Sequence, residues 1–236
     1  PNTSEALKRR ILLVDTIKRF THADLEMDAS SLYTSLYDQK DKTILWNLSA
    51  SEPFAMKSVE WIYPIVGKAS YKGYFDLKKA KIEQQRLDDL GFDTRVRPVN
   101  AWSTLGWFND PILSNMLNRS VGNLAELFIH EITHSHIFIE DSITFNENLA
   151  SFIGEQGARL FLSKQYGVHS KELLSYIELE YDYDVFTQHC LIGLSELEDV
   201  YANFDDSMDT LIKNEQKTAY LERWVERLDS LPFNNK

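Results

Sequence analysis

Two histidines four residues apart enclose a glutamate in the segment His130-Glu131-Ile132-Thr133-His134. On a helix, positions four apart are rotated by about 40° and offset by about 6 Å, so both imidazoles can reach one ion at roughly 2 Å. The glutamate after the first histidine projects beside that ion, where it can take a proton from an activated water and return it to a leaving amine. The spacing therefore points to Zn2+ held by His130 and His134, with Glu131 as the catalytic base. A hydrolytic zinc site needs a third protein ligand and an open position. Glu140 stands six residues past His134, where a metzincin would place its ligand, but position 137 is Ile rather than the glycine on which that arrangement turns. Glu147 opens an apolar-periodic stretch, Phe145-Asn146-Glu147-Asn148-Leu149-Ala150. Twelve residues lie between it and His134, enough for a turn around Glu140-Asp141-Ser142 and an antiparallel return. The expected ligands are His130, His134 and Glu147, with Glu155 further along the same face as a partner for a ligand histidine. His136, about 200° round the helix from His134, is read as structural. His189, Tyr181 and Tyr183 are candidates for an oxyanion donor on the open side, each weighed against an ordinary packed or surface role.

These residues must be carried by helices. The apolar pattern predicts one over Val121 to about Ile139 and a second over Thr144 to Tyr166, stopped by Gly167. Upstream, Ser4 to about Leu25 spaces Leu7, Ile11, Leu12, Val14, Ile17 and Phe20 as an amphipathic helix. Strand character follows at Thr43–Leu48, at Val59–Val66 (interrupted by Pro64) and at Thr94–Trp102, where Pro98 belongs on an edge. Between the last two, Asp76 caps a helix to Leu90 whose apolar face is Leu77, Ala80, Ile82, Leu87 and Leu90, with Gly91 as its left-handed stop. Asp110-Pro111 reads as a helix entry into Ile112–Leu117. Beyond Gly167 the chain is helical, over His169 to about Asn203 and Asp206 to about Leu231, with Tyr201, Phe204, Tyr220 and Trp224 as a stripe suited to core packing, a lid or a dimer face.

Composition narrows the function classes. With 25 basic and 36 acidic residues the net charge is −11, which repels phosphate backbones and argues against a nucleic-acid partner. No apolar run approaches the roughly 20 residues of a transmembrane helix. Cys190 has no second thiol to pair with and is given no role. The chain opens on Pro1 rather than Met, as a processed form would, so no address is read from the lack of a leader. With 236 residues and no linker or repeat, one α+β domain is expected over 1–236: a helix and small-sheet part (1–118), the zinc-binding helix pair (119–167) and a helical C-terminal part (168–236).

Four further segments extend the pattern: Tyr71-Lys72-Gly73-Tyr74-Phe75-Asp76, Ala101-Trp102-Ser103-Thr104-Leu105-Gly106-Trp107-Phe108, Asp110-Pro111, and His130 to His134 continuing through Phe145-Asn146-Glu147. In these the chain resembles the bacterial putative aminopeptidase family, from about Leu12 to Leu162. The resemblance implies a zincin-like core with a small mixed sheet, a gluzincin-type site of two histidines and a glutamate, and a protein of the bacterial envelope or periplasm made with a leader, often lipid-anchored. Trp102 stands where the family pattern has Tyr. In zincins the substrate lies as an added strand along a sheet edge, and Arg95 to Trp102 with the backbone of Ser103, Thr104, Leu105 and Gly106 is the candidate edge for a peptide or protein substrate.

The leading expectation is zinc-dependent peptide hydrolysis. Exopeptidase action also needs a carboxylate for the substrate's free amine; the acidic residues offer many without ranking them, so exo- and endopeptidase readings both stand. The rival is a non-catalytic zinc protein that binds a peptide or envelope partner, against which Glu131 weighs, because a structural site prefers four protein ligands.

Overall fold

The computed structural model describes residues 4–40, 42–63, 67–99 and 111–235. It is an α+β structure in which helices dominate and the strands form small separate sheets. Helix α1 (Glu5–Leu25) begins at Ser4, whose hydroxyl accepts from the Leu7 amide at 3.2 Å. It buries Val14, Ile17, Phe20 and Thr21, while Leu12 is 61% exposed and leaves the apolar face that the spacing assigned it. After it, β1 (Leu36–Tyr37) pairs in parallel with β7 (Ile112–Leu113). The helix expected over Ile112–Leu117 is therefore replaced by a strand and a short 3-10 turn, Ser114–Asn118. The cause lies far off in sequence: the Ile112 amide donates to the Ser35 carbonyl at 2.8 Å, and the Asn115 amide to Oε1 of the buried Gln39 at 3.2 Å. Asp110 lies outside the described residues.

The principal sheet is antiparallel, with β2 (Trp46–Ser51) between β5 (Lys72–Tyr74) and β6 (Asp93–Pro98). Asn47 sits opposite Gly73 on one side and Arg97 on the other. Strand β2 starts three residues later than its propensity suggests, in register with β6, and Pro98 falls at the end of that edge strand, where a missing amide costs least. Strands β3 (Trp61–Tyr63) and β4 (Gly67–Ala69) form their own antiparallel pair, so among the described residues three small sheets stand in place of one mixed sheet. Residues 64–66, the end of the strand expected over Val59–Val66, lie outside the described residues. Helix α2 (Leu77–Asp89) is capped by Asp76, which accepts from the Lys78 amide at 2.8 Å, and the chain leaves it through Gly91 at φ +88°. Ala80 and Leu87 are buried, but Leu77, Ile82 and Leu90 face solvent, because the helix covers only the narrow face of a three-stranded sheet.

Helices α3 (Val121–His136), α4 (Ile143–Tyr166), α5 (Lys171–Ala202) and α6 (Thr210–Glu226) complete the chain with a 3-10 turn at Arg227–Ser230. Two apolar clusters result. The larger joins α1, α3, α4 and the start of α5, with Phe128 and Phe161 wholly inside; the smaller, around Leu48, Ala50 and Leu87, lies between the principal sheet and α2. The aromatic stripe of the C-terminal half packs inward. Phe54, just past β2, meets Tyr201 and Phe204 edge-on at 6.3 and 5.5 Å, Tyr220 is buried, and Trp224 stacks on His189. Lys217 adds a tie to the sheet by donating to the Pro53 carbonyl at 3.0 Å and pairing with Asp93. No helix among the described residues is long and apolar enough to cross a membrane.

Candidate metal centre

Helix α3 is amphipathic with a narrow polar stripe. Leu124, Ala125, Phe128, Ile129, Ile132 and Thr133 are buried in the main cluster, and Glu126, His130 and His134 fall four apart along its flank. Ser120 starts it by accepting from the Asn123 amide at 3.2 Å. It ends at His136, three residues sooner than the apolar pattern suggests, where Ile137 turns to extended backbone. Helix α4 returns antiparallel along α3 on a seam of small residues: Ala150, Gly154, Gly157 and Ala158 are all buried. A β-carbon at Gly154 would stand 3.1 Å from the Glu126 carbonyl oxygen and 3.2 Å from Cβ of His130. With a glycine there the second helix comes this close to the histidine-bearing one without displacing it, and that approach carries Glu147, two turns earlier, to the imidazoles.

There His130 Nε2 and His134 Nε2 are 3.1 Å apart, and the two Glu147 carboxylate oxygens lie 3.4 Å from the first and 3.5 Å from the second. The rings are steeply inclined, at 84°, so that neither stacks over the other. Ligands about 2.0–2.1 Å from a tetrahedral zinc ion stand about 3.3–3.4 Å from one another. The three separations, 3.1, 3.4 and 3.5 Å, lie close to that length, so the residues fit the ion. Among the described residues the group that could hold a metal ion has three members. His134 is almost completely enclosed, with a side chain 4% exposed, whereas the Glu147 side chain is 53% exposed, so the group is anchored in the core on one side and reached from solvent on the other.

The electrostatics agree with a cation-seeking group. Hydrogen bonding to His130 and then His134 holds the Glu147 carboxyl far below the usual carboxylate range, against partial desolvation. Burial disfavours charge on His130, but the contact with Glu147 and the charges of Glu131, Glu147 and Glu126 outweigh it and raise its pKa. A proton and a divalent cation therefore compete for the same place. The half-buried Arg119 guanidinium, its pKa lowered by desolvation, lies within electrostatic reach of Glu126 and Glu131.

Other expected site residues fall elsewhere. Glu155 makes no hydrogen bond to either ligand histidine among the described residues; Nδ1 of His134, which carries the proton when Nε2 binds a metal, is buried with no partner there. Glu155 instead faces an acidic group. Desolvation first, and then Glu126, Glu180 and Asp184, push its carboxyl up, because α5 brings Glu180 to Arg159 at 2.9 Å and the Tyr176 hydroxyl to Glu126, also at 2.9 Å. His136 caps its own helix, with Nδ1 3.0 Å from the Ile132 carbonyl, and is not in the group. Glu140 is an exposed turn residue outside it. His189 is stacked on Trp224 and bonded to its carbonyl at 3.1 Å, so it is a packing residue, while Tyr181 and Tyr183 are exposed on α5. Ser103, Thr104, Leu105 and Gly106 lie outside the described residues. Sequence reasoning missed Gly154, whose signal was the run of small residues Ala150, Gly154, Gly157 and Ala158 at helical spacing.

The family model described as "Putative aminopeptidase" matches residues 1–232. No curated protein and no solved structure matches the chain.

Proposed function

The chain belongs to the putative aminopeptidase family, and from that premise we propose that it is a zinc-dependent peptidase acting on the free amino end of peptides, with a zincin-like arrangement of sheet and helix pair. The observation that carries this reading is the convergence of His130, His134 and Glu147 at ligand spacing on two adjacent helices, with Glu131 directly after the first histidine. Zn2+, when bound, supplies Lewis acidity, acidifying water and polarising the scissile carbonyl. His130 and His134 would hold the ion through Nε2, fixed in direction by the frame of α3. Glu147 contributes a negative oxygen that its surroundings keep ionised.

Glu131 follows His130 by about 100° round α3 and so would stand beside a bound ion rather than ligate it. Its carboxylate takes the proton of the attacking water and delivers it to the departing amine. The expected contact for the substrate backbone is the outer edge of β6, continuing through Ser103, Thr104, Leu105 and Gly106.

Activity on an unblocked aminoacyl anilide, its N-acetylated form and an internally quenched peptide tests this reading, with zinc content measured alongside. The proposal expects hydrolysis of the unblocked substrate, one zinc per chain, and a Glu131→Gln variant that keeps its zinc but loses about 10³-fold or more in kcat. Undiminished hydrolysis by that variant would remove Glu131 from the mechanism. Zinc bound with no turnover in either form would favour a binding protein.

A further inference from the structure

Asn146 is 3% exposed and precedes the proposed ligand Glu147. Its carboxamide oxygen accepts from the backbone amide of Ile139 at 2.9 Å, and its nitrogen donates to the carbonyl of the same residue at 2.8 Å. The result is a two-point clamp from the first turn of α4 onto the extended segment that leaves α3. Among the described residues, the segment is also tied by the Ile137 amide, which returns to the Thr133 carbonyl, and by the Ser142 amide, which reaches the Ile139 carbonyl at 3.3 Å, while Asp141 takes a left-handed φ of +56°.

The chemistry of the clamp is selective. A carboxamide offers a donor and an acceptor in one plane at one side-chain length. An ionised carboxylate of the same size can only accept, and would face the Ile139 carbonyl with like partial charge. Serine is too short to span both groups, and glutamine adds a methylene that must be folded away.

The placement also matters. Glu147 is long and half-exposed, and its reach to both Nε2 atoms at 3.4–3.5 Å depends on where α4 begins relative to where α3 ends. Gly154 sets the lateral distance between the helices, but a glycine contact does not fix how far one slides along the other. The bonds to Ile139 fix that offset one residue before the ligand.

We propose that Asn146 is a positioning residue for the metal centre: by clamping Ile139 it fixes the offset of α4 against α3 and so presents Glu147 to His130 and His134. The inference rests on the proposed role of those three residues.

The test is a double-mutant cycle on zinc affinity, read by competition with a chromophoric chelator in Asn146→Ala, Glu147→Ala and the double variant, with the melting of each apo protein recorded. Loss of outer partners of metal ligands weakens binding by about 10–100-fold. That loss is expected for Asn146→Ala, with no further loss when the change is added to Glu147→Ala, because the residue acts through the carboxylate. The visible spectrum of the Co2+-loaded Asn146→Ala protein should shift towards that of Glu147→Ala. Asn146→Asp, which keeps the size and the acceptor but not the donor, should also weaken zinc, and it replaces the alanine variant if that one fails to fold.

Unchanged zinc affinity, or losses that add independently in the double variant, would overturn the proposal. Unfolding of both single variants at Asn146 before metal is added would assign the amide to the fold alone and overturn it too. If Glu147→Ala binds zinc as tightly as the parent protein, the metal-centre reading itself fails, a result distinguishable from failure of the clamp.

Discussion

Two antiparallel helix pairs, α3 with α4 and α5 with α6, are built on the same device and used differently. Each admits close approach through a glycine: Gly154 against His130 in the first, Gly193 against Trp224 in the second, where an added β-carbon would fall 2.1 Å from the indole nitrogen. In the second pair the polar groups at the contact meet counterparts. His189 and Trp224 bond to each other's carbonyls at 3.1 and 3.3 Å, the Tyr220 hydroxyl donates to the Gly193 carbonyl at 2.6 Å, and Arg227 holds Glu196 with both terminal nitrogens. In the first pair the atoms that converge are two imidazole nitrogens and two carboxylate oxygens, linked by hydrogen bonds when a ring carries a proton on Nε2 and all acceptors when both rings carry their protons on Nδ1. Donor matched to acceptor gives a fastening. Acceptors gathered around one point form a group that could hold a cation once the shared proton leaves.

That contrast can be broken from either side. The largest stability effect is expected at Gly193, where alanine must displace a stacked and hydrogen-bonded indole; Gly193→Ala should cost about 1–3 kcal/mol in chemical denaturation while leaving zinc affinity within about twofold. Gly154→Ala should do the reverse. Its β-carbon meets the Glu126 carbonyl at 3.1 Å, which calls for a shift of only a few tenths of an ångström, and the better helix propensity of alanine, about 0.5–1 kcal/mol, offsets much of the strain. The same small shift moves α4 against the imidazoles, so zinc affinity should fall by about tenfold. Equal effects of the two substitutions on both readouts would erase the distinction.

A smaller effect sharpens the fastening side. Asp182 on α5 accepts from the amides of Asn234 and Asn235 and from the Asn235 side chain, tying down the C-terminal end of the chain. Desolvation would raise its pKa, but these bonds outweigh it and hold the carboxyl below its ordinary value of 3.8. A depressed folded-state pKa stabilises above the ordinary value, and the contribution is lost as pH falls through the folded value. The stability difference between the parent and Asp182→Asn should therefore be constant near neutrality and shrink below about pH 4. A difference that grows on acidification would contradict the assigned bonds.

The sequence made the convergence of His130, His134 and Glu147 legible because its signal is local: the histidines are set by helical periodicity, and Glu147 by a turn of ordinary length. Helices α1 and α4 were legible for a related reason, since Ser4 and Gly167 mark their ends by side-chain and backbone chemistry of their own. What could not be read depends on partners distant in sequence. Ile112–Leu117 carries a helix-entry signal, yet Ser35 and Gln39 draw it into a strand and a 3-10 turn. Glu155 lies on the expected face of α4, but α5 crosses there and surrounds it with Glu180 and Asp184, a crossing that no periodicity encodes. The exposure of Ile82 and Leu90 follows likewise from the small width of the sheet beneath α2, a property of the assembled layers rather than of the helix.

The central claim is that His130, His134 and Glu147 grip one zinc ion and leave it an open place. Diffraction from crystals of the zinc-loaded protein, recorded on both sides of the zinc absorption edge, addresses it most directly. A single anomalous peak about 2 Å from both Nε2 atoms and from a Glu147 oxygen, with solvent in the remaining position, is the predicted result. A peak elsewhere, or a fourth side chain closing the coordination sphere, would contradict the account.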